Sequence, residues 1–283
     1  MIKLENVNYT YNIGRSDSSS ALNNVSLEIP DGSITTIIGH TGSGKSTLVQ
    51  LLNGLEKPQS GKVFVNGTEV TAKDTDLRQL RFKVGMVFQY PEYQLFAETV
   101  KLDIAFGPKN MGLSEEEIEK RVQYAAKIVG LGKEDLERSP FELSGGQKRR
   151  AAIAGVLAME PEVLVMDEPA AGLDPKGRKA IFDIIKRLHS ENPSMIIIFV
   201  SHSMEEAAEA ADRAVVMNKG TVVMNDSIDN VFSRAEELRS IGLDIPMITQ
   251  LCIKLKNSGL DIADGIYTVD AAIKDLKRVL GNV

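Results

Sequence analysis

Residues 39–47 of this chain read Gly39-His40-Thr41-Gly42-Ser43-Gly44-Lys45-Ser46-Thr47. A run rich in β-branched residues, Ser33–Ile38, precedes them, and Leu48–Leu52 follows with helical character. A strand, a glycine-rich turn and a helix in this order form a phosphate-binding loop (P-loop), whose backbone N–H groups face an anion at the helix N-terminus. In such a loop Lys45 reaches the β- and γ-phosphates of a nucleotide, and the Ser46 hydroxyl binds Mg²⁺.

A pair of acidic residues follows a second buried strand. Val163–Met166 is apolar, and Asp167 and Glu168 come directly after it. A P-loop needs a carboxylate on a neighbouring strand to hold Mg²⁺, and Asp167 fits that position. Glu168, one residue further, is placed to polarise an attacking water. A helix cap or turn is the alternative for Asp-Glu-Pro, and the P-loop upstream favours the metal site.

Two polar residues follow further predicted strands. Gln89 comes after Lys83–Phe88, and His202 comes after Met195–Val200. An amide oxygen at such a strand end completes the ligand shell of Mg²⁺, and an imidazole there binds the γ-phosphate or the lytic water. Neither residue is informative alone, because a lone histidine is more often structural.

A second anion-binding turn is predicted at Leu143-Ser144-Gly145-Gly146-Gln147, just before a helix. Glycine N–H groups at a helix N-terminus and the Ser144 hydroxyl can face a phosphate. A generic glycine turn is the alternative. The order of the full motif, between the P-loop and Asp167-Glu168, argues against it.

The remaining pattern indicates an α/β chain with a helical insertion. Asn66-Gly67 predicts a hairpin turn. Ser114 with Glu117 predicts the start of a helix within an insertion that spans residues 92–160. The sequence strand, helix, strand over residues 163–200 predicts parallel pairing, and the chain beyond residue 225 is mostly helical in pattern.

Composition excludes several classes of protein. The chain has 283 residues, with 33 basic and 39 acidic side chains and a net charge of −6, which disfavours a nucleic-acid partner. Its longest apolar stretches, Ala151–Met159 and Met195–Val200, are shorter than the roughly 18–20 residues of a membrane span. The single cysteine, Cys252, allows neither an internal disulfide nor a Cys-based metal site, so a cytoplasmic protein is expected.

In order and spacing these motifs resemble those of ABC-type ATPases over residues 1–225. The resemblance implies a P-loop NTPase core, with a RecA-like subdomain, an antiparallel β subdomain and a helical subdomain at about residues 92–160. It identifies Gly39–Thr47 as Walker A, Gln89 as the Q-loop glutamine, Leu143–Gln147 as the signature, Val163–Asp167 as Walker B, Glu168 as catalytic, Gly172–Asp174 as the D-loop and His202 as the switch histidine.

The resemblance also implies the cofactors ATP and Mg²⁺ and a role for each residue. Lys45, Glu168 and His202 would serve catalysis, and Tyr11 falls where the family stacks an aromatic ring on adenine. The metal would be held by Ser46, Gln89 and Asp167. The family works as a head-to-tail dimer, so a partner's nucleotide would be contacted in trans by Ser144, Gly145, Gly146, Gln147 and Asp174.

Residues 88–108 are similar to those of the second ATPase subunit of energy-coupling factor transporters, through Pro91–Phe96, Thr99–Val100 and Asp103–Pro108. This similarity implies an ATP-hydrolysing subunit at the cytoplasmic face of the membrane that powers uptake of vitamins or transition-metal ions. Tyr90–Phe96 would dock a transmembrane scaffold, and changes at Glu92 or Gln94 are expected to uncouple transport without loss of ATPase activity. The partner would be a second ABC ATPase, a paralogue in preference to another copy of this chain, and the substrate-binding membrane subunit would be contacted only indirectly.

Residues 226–283 are expected to form a small helical C-terminal domain that contacts the partner ATPase. A packed appendage without an interface is the alternative, because periodic apolar residues indicate burial but not which surface buries them.

Two other functions stay open: the ATPase of a different ABC transporter, and a soluble ABC ATPase outside transport. A module that holds ATP without turnover is opposed by the intact Glu168 and His202.

Overall fold

The computed structural model describes residues 1–281, which form two β-sheets with helices packed on them. The strands are β1 (Ile2–Tyr11), β2 (Ser19–Ile29), β3 (Ile34–Gly39), β4 (Ser60–Val65), β5 (Thr68–Glu69), β6 (Val84–Val87), β7 (Val163–Asp167), β8 (Ile196–Val200), β9 (Arg213–Asn218) and β10 (Thr221–Ser227). The helices are α1 (Lys45–Leu52), α2 (Leu77–Lys83), α3 (Val100–Asn110), α4 (Glu115–Val129), α5 (Lys133–Glu137), α6 (Gly145–Leu157), α7 (Pro175–Glu191), α8 (Met204–Ala210), α9 (Ile228–Ser233), α10 (Ala235–Ser240), α11 (Met247–Asn257) and α12 (Val269–Leu280). Short 3₁₀ turns cover Pro91–Gln94 and Pro140–Glu142.

The strand before the P-loop, β3, lies inside a six-stranded sheet of order β10-β9-β3-β8-β7-β6. Its neighbours β8 and β9 run parallel to it, as do β7 to β8 and β6 to β7. Val200 lies opposite both Ile37 and Asp167, so these strands end at the same level. The predicted parallel pairing is confirmed. The carboxyl ends of parallel strands form one edge, where α/β proteins bind ligands.

The smaller sheet is antiparallel and has the order β2-β1-β4-β5. Its predicted hairpin turn is confirmed, because Val65 pairs with Thr68 across Asn66 and Gly67. Both turn residues have positive φ, 47° and 79°, as a type I′ turn requires. Apolar side chains of this sheet share one core with apolar side chains of α1, among them Leu48.

Helices α3 to α6 form the predicted helical insertion and share a core with the main sheet. The predicted start of α4 is confirmed, because the Glu117 N–H donates to the Ser114 hydroxyl at 3.3 Å. The helix ends at Gly130, whose φ of 71° suits glycine. Ile118 and Val122 on its inner face are buried, so amphipathic spacing fixed which side faces the core.

One strand begins earlier than its sequence predicts. The apolar alternation of Val25–Ile29 predicts a strand that starts near Val25, yet β2 begins at Ser19. The preceding strand supplies the reason, because Tyr11 pairs with Ser19 and Thr10 pairs with Ser20. Pairing with a neighbour therefore overrides the weak strand propensity of the serine run.

Beyond β10, which ends at Ser227, the described chain is helical. Helices α9 and α10 pack on the main sheet around Phe232, and α11 and α12 enclose a smaller core around Cys252. Residues 282–283, part of the predicted C-terminal segment, lie outside the described residues. Among residues 1–281, none of the helices combines the length and the hydropathy that crossing a bilayer requires.

Candidate functional site

The P-loop wraps from the end of β3 into α1. Gly39, Gly42 and Gly44 have φ values of 154°, 77° and 99°, which side-chain-bearing residues rarely adopt. A Cβ at Gly44 would lie 2.3 Å from the Ala21 carbonyl oxygen, and one at Gly39 would lie 2.3 Å from that of Met217. The loop therefore packs directly on the backbones of β2 and β9.

Gly44→Ala is expected to lower the free energy of unfolding by about 3 kcal/mol, because it adds a backbone clash to an unfavourable φ. Gly42 is the matched control: its φ is also positive, but a Cβ there meets nothing within 4 Å. Gly42→Ala should cost only about 1 kcal/mol. Urea unfolding of both variants measures the difference, and equal losses would show that the close approach to Ala21 has no energetic consequence.

The predicted nucleotide-binding residues divide into a buried base and an exposed rim. The buried members of the P-loop are Gly39, Ser43, Gly44, Lys45 and Thr47, and the exposed ones are His40, Thr41, Gly42 and Ser46. His40 Nε2 lies 3.1 Å from the carbonyl oxygen of Ile241. Since a carbonyl only accepts, the imidazole N–H donates. This contact joins the P-loop to the C-terminal helices, and the sequence did not predict it.

Lys45 lies beneath the loop. Its Nζ donates to the carbonyl oxygens of Gly39 and His40, each at 2.8 Å. Burial lowers the pKa of Lys45, and the charges of Glu168 and Asp167 partly offset that shift. The ammonium group is therefore held at the base of the turn, within electrostatic range of both carboxylates.

Asp167 ends β7 and is buried beside the P-loop. Burial raises the pKa of Asp167, and a hydrogen bond from Ser46 opposes the shift. Among the described residues, Oδ1 of Asp167 has no hydrogen-bond partner. A buried polar atom without a partner requires an explanation, and a carboxylate oxygen beside a hydroxyl suits a hard cation.

Glu168 is held in a left-handed backbone conformation, with φ of 50°. Its N–H donates to the Val200 carbonyl oxygen at 3.2 Å. Gln89 Nε2 donates to one carboxylate oxygen at 2.8 Å, and His202 Nε2 contacts the other. Strain of this kind persists where the surrounding structure imposes it, and it concentrates at functional sites. Three residues predicted separately thus meet at one carboxylate.

The segment that carries His202 is fixed by residues that the sequence did not single out. The Ser201 hydroxyl donates to the Glu206 carboxylate and accepts from the Ser203 N–H at 2.9 Å. The Ser201 N–H donates to the Ile37 carbonyl oxygen at 3.2 Å. These bonds hold the turn after β8 against the strand that leads into the P-loop.

Tyr11 lies beside the P-loop. Its hydroxyl is 2.9 Å from Oγ1 of Thr47, the last residue of the loop. The ring of Tyr9 packs edge-on against it with centroids 4.7 Å apart. Tyr11 is half-buried, so its position next to the nucleotide-binding loop is set by both contacts.

The signature residues lie at the N-terminus of α6. Ser144 and Gln147 form a reciprocal cap, in which the Gln147 N–H donates to Ser144 Oγ at 3.3 Å and the Ser144 N–H donates to Gln147 Oε1 at 3.0 Å. A Cβ at Gly145 or Gly146 would meet nothing within 4 Å. Within residues 1–281, no hydrogen bond joins this segment to the P-loop of the same chain.

The D-loop residue Asp174 also lies at a helix N-terminus. Its Oδ1 accepts from the Gly177 N–H at 2.7 Å, which caps α7. Asp174 is exposed, and the cap is its one side-chain hydrogen bond among the described residues. The structure thus gathers Lys45, Asp167 and Glu168 into one site and leaves Asp174 and the signature outside it.

The turn after Gln89 has one exposed side and one buried side. Tyr93 is 84% exposed and Phe96 is 63% exposed, and Gln94 is also exposed. The Glu92 carboxylate instead faces inward and pairs with the buried guanidinium of Arg149, 2.6 Å away. The sequence grouped Glu92 with Gln94 as docking residues, and the structure separates them.

Arg149 is the main residue that sequence reasoning missed. It is 1% exposed and follows the signature at the start of α6. A signal was present, because Arg149 precedes the buried Ile153 and Leu157 at intervals of four, which puts all three on one helical face. A charge on that face needs a buried partner.

The chain is similar to known proteins in sequence and in fold. The family model described as ABC transporter matches residues 22–171. The energy-coupling factor transporter ATP-binding protein EcfA2 of Clostridium acetobutylicum is 54% identical over 280 residues, which cover 99% of this chain and 98% of that protein.

Two solved structures are similar in fold. One is cbiO1 of Clostridium perfringens, part of the ABC transporter complex cbiONQ, with a TM-score of 0.75, 39% identity and coverage of 88% of this chain and 97% of that one. The other is a dimeric ATP-binding cassette in a post-hydrolysis state bound to ADP and Pi, with a TM-score of 0.71, 31% identity and coverage of 81% and 99%. The predicted fold class is confirmed. The chain therefore belongs to the ABC transporter family and, within it, to the ATP-binding, ATP-hydrolysing subunits of energy-coupling factor transporters.

Proposed function

We propose that Glu168 activates the water that hydrolyses ATP. One observation carries this role: the carboxylate lies at the end of β7 beside the P-loop, where Gln89 and His202 both contact it. As the water oxygen bonds to the γ-phosphorus, the bond from that phosphorus to the bridging oxygen of ADP breaks, and Glu168 accepts the water proton. Substitution of Glu168 by glutamine tests this role.

The P-loop supplies the charge complement of the reaction. Backbone N–H groups at the start of α1 and the ammonium group of Lys45 would face the phosphates of a bound nucleotide. Negative charge on the phosphoryl oxygens is stabilised best by donors that are already in place. We propose that His202 hydrogen-bonds the γ-phosphate and that Tyr11 stacks on adenine.

The donors for Mg²⁺ are proposed to be Ser46, Asp167 and Gln89. The unpartnered Oδ1 of Asp167 and the adjacent Ser46 hydroxyl fit a hard cation. Residues 1–281 contain no cluster of three or more His, Cys, Asp or Glu side chains suited to a metal. Mg²⁺ is bound through one or two carboxylates together with substrate phosphates and water, and Asp167 would supply such a carboxylate. When bound, the ion neutralises charge on the phosphates.

We further propose that Ser144–Gln147 and Asp174 act on the nucleotide of a partner ATPase. The signature glycines have open space beside them and no hydrogen bond to the P-loop of their own chain within residues 1–281. A helix N-terminus with bare N–H groups suits an anion brought by another subunit. The similar cassette that is dimeric with ADP and Pi supports such pairing. A paralogous ATPase is the proposed partner.

The exposed side of the turn after Gln89 is proposed to dock a transmembrane subunit. The Tyr93 and Phe96 rings are exposed, and the Phe96 N–H and Ala97 N–H both donate to the carboxylate of Asp103 at 3.2 Å. Large apolar side chains held outward on a fixed turn are typical of interfaces. Gln94 lies beside them and is exposed as well.

Tyr93→Ala combined with Phe96→Ala is expected to reduce recovery of a polytopic membrane protein by at least about tenfold when the tagged chain is captured from solubilised membranes. Recovery of the second ATPase should not change. Aromatic anchors contribute most of the affinity at such interfaces, which is the reason for the large effect. Co-purifying proteins identified by mass spectrometry give the result.

Val223→Ala is the control for this capture. Val223 is 41% exposed on β10, the edge of the main sheet opposite β6 and the turn that follows it. This variant should recover the same proteins as the unchanged chain. Equal recovery of the membrane protein by the double variant would exclude the turn as the docking site.

Residues 1–225, together with Asp226 and Ser227 at the end of β10, are proposed to form the nucleotide-binding domain. The helices that follow are proposed to form a C-terminal domain that contacts the partner ATPase. Exposed apolar side chains on α12, namely Val269, Ile273 and Leu280, support a contact there.

The chain is proposed to act at the cytoplasmic face of the membrane in uptake of vitamins or transition-metal ions. A small membrane protein recovered in the same capture would identify the substrate class.

A further inference from the structure

The guanidinium of Arg149 is the centre of a buried network. It is 1% exposed, and each of its three nitrogens donates a hydrogen bond. Nε and Nη2 reach the two carboxylate oxygens of Glu92 at 2.9 and 2.6 Å. Nη1 reaches the carbonyl oxygens of Pro169 and Ala171 at 3.1 and 2.7 Å. The Tyr90 ring lies 5.6 Å from the guanidinium carbon.

The two carbonyl acceptors belong to the turn that begins at Glu168. The Ala171 N–H donates to the Glu168 carbonyl oxygen at 3.1 Å, which closes this turn. Arg149 therefore restrains the backbone of this turn, and this backbone sets the position of the Glu168 Cα atom. Because Glu168 has positive φ, its conformation depends on such restraints.

The carboxylate acceptor belongs to the turn after Gln89. Glu92 is three residues beyond Gln89, and Gln89 itself donates to the Glu168 carboxylate at 2.8 Å. These contacts form a closed ring. Arg149 binds Glu92, the chain from Glu92 leads back to Gln89, and Gln89 binds the Glu168 carboxylate. The ring closes because Ala171 binds both the Glu168 carbonyl oxygen and the Arg149 guanidinium.

We propose that Arg149 is a positioning residue, which sets the Glu168 carboxylate for water activation through its contacts with Glu92 and with the turn that contains Pro169 and Ala171. The inference rests on the proposed role of Glu168. Arginine suits this task because its planar fork satisfies a carboxylate bidentately while a further N–H binds carbonyl oxygens. Lysine keeps the charge and cannot reproduce the fork.

Arg149→Lys is expected to lower kcat for ATP by about 10- to 100-fold, because small misplacement of a reacting group has effects of this size. KM for ATP should stay within about twofold, since no contact of Arg149 reaches the P-loop. The sequence alone predicts that changes at Glu92 leave ATPase activity intact. Because Glu92 pairs with Arg149, we instead expect Glu92→Gln to lower kcat in the same way while preserving the shape of the pair. The kcat of the double variant should be no lower than that of the more severe single variant, because both changes break the same ion pair.

Arg121→Lys is the matched control. Arg121 is also largely buried, pairs with Glu117 and Glu160, and donates to the Met159 carbonyl oxygen at 3.3 Å. None of these partners belongs to the turns around Glu168 or Gln89. This variant should lose thermal stability as Arg149→Lys does, and should keep kcat.

The assay is steady-state ATP hydrolysis by the complex captured with the full-length tagged chain. Glu168→Gln in the same complex defines the turnover that depends on this site, and the Arg149 and Glu92 variants are scored as fractions of it. A normal kcat in both variants, with Glu168→Gln inactive, overturns this inference alone. A fall in kcat matched by Arg121→Lys also overturns it, because the loss then reflects stability. Normal turnover in Glu168→Gln overturns the proposed function itself.

Discussion

Glu168→Gln is expected to bind ATP with unchanged affinity and to hydrolyse it about 10³-fold more slowly. Glutamine keeps the size of the side chain, but its amide has one accepting oxygen where the carboxylate has two, and it does not take a proton from water. Binding depends on the P-loop, which Glu168 does not contact by a hydrogen bond among the described residues. ATP should therefore persist in the variant and hold it paired with its partner.

Two measurements check this result. Single-turnover hydrolysis gives the rate of the chemical step, and light scattering with ATP gives the size of the paired complex. Glu162→Gln is the control, because Glu162 precedes the same strand β7 at its opposite end and is exposed. Undiminished hydrolysis in Glu168→Gln would assign water activation to another residue.

Lys45→Ala is expected to weaken ATP binding by about 100-fold or more. Hydrogen bonds to a charged group contribute about 1.5–3 kcal/mol, and Lys45 would offer its charge to the β- and γ-phosphates of bound ATP at once. The variant should remain folded, because burial already disfavours the ammonium form of Lys45, as its lowered pKa shows. Hydrolysis should be lost together with binding.

Calorimetric titration with ATP measures this loss, and thermal unfolding confirms that the variant is folded. Lys83→Ala is the control, since Lys83 lies just before β6, at the edge of the sheet opposite the P-loop. Wild-type affinity in a folded Lys45→Ala protein would remove the lysine from the phosphate site.

Local features of the fold were readable from the sequence because short-range physics fixes them. The cap at Ser114, the turn at Asn66-Gly67 and the glycine-rich P-loop each depend on neighbours within a few residues. The carboxyl-terminal position of Asp167 after a buried strand was readable in the same way. Given parallel strands, that position alone places the carboxylate near the P-loop.

The start of β2 and the environment of Glu92 were not readable, because their causes are distant in sequence. Ser19 joins a strand because Tyr11 pairs with it. Glu92 faces inward because Arg149, 57 residues later, is buried opposite it. A charged residue on a helix or turn has no intrinsic preference for one partner, so its sequence does not reveal which residue will neutralise it.

The sequence by itself determined the chemistry of this protein: a phosphate loop, a carboxylate pair after a strand, and polar residues at two more strand ends. Only the tertiary structure decided how these groups are arranged, with Gln89 and His202 on the carboxylate of Glu168 and Arg149 holding the turn behind it. The physical reason is the distance along the sequence over which each interaction acts. Capping, turn geometry and periodicity act over a few residues, whereas pairing of strands and neutralisation of a buried charge depend on which distant segments pack together.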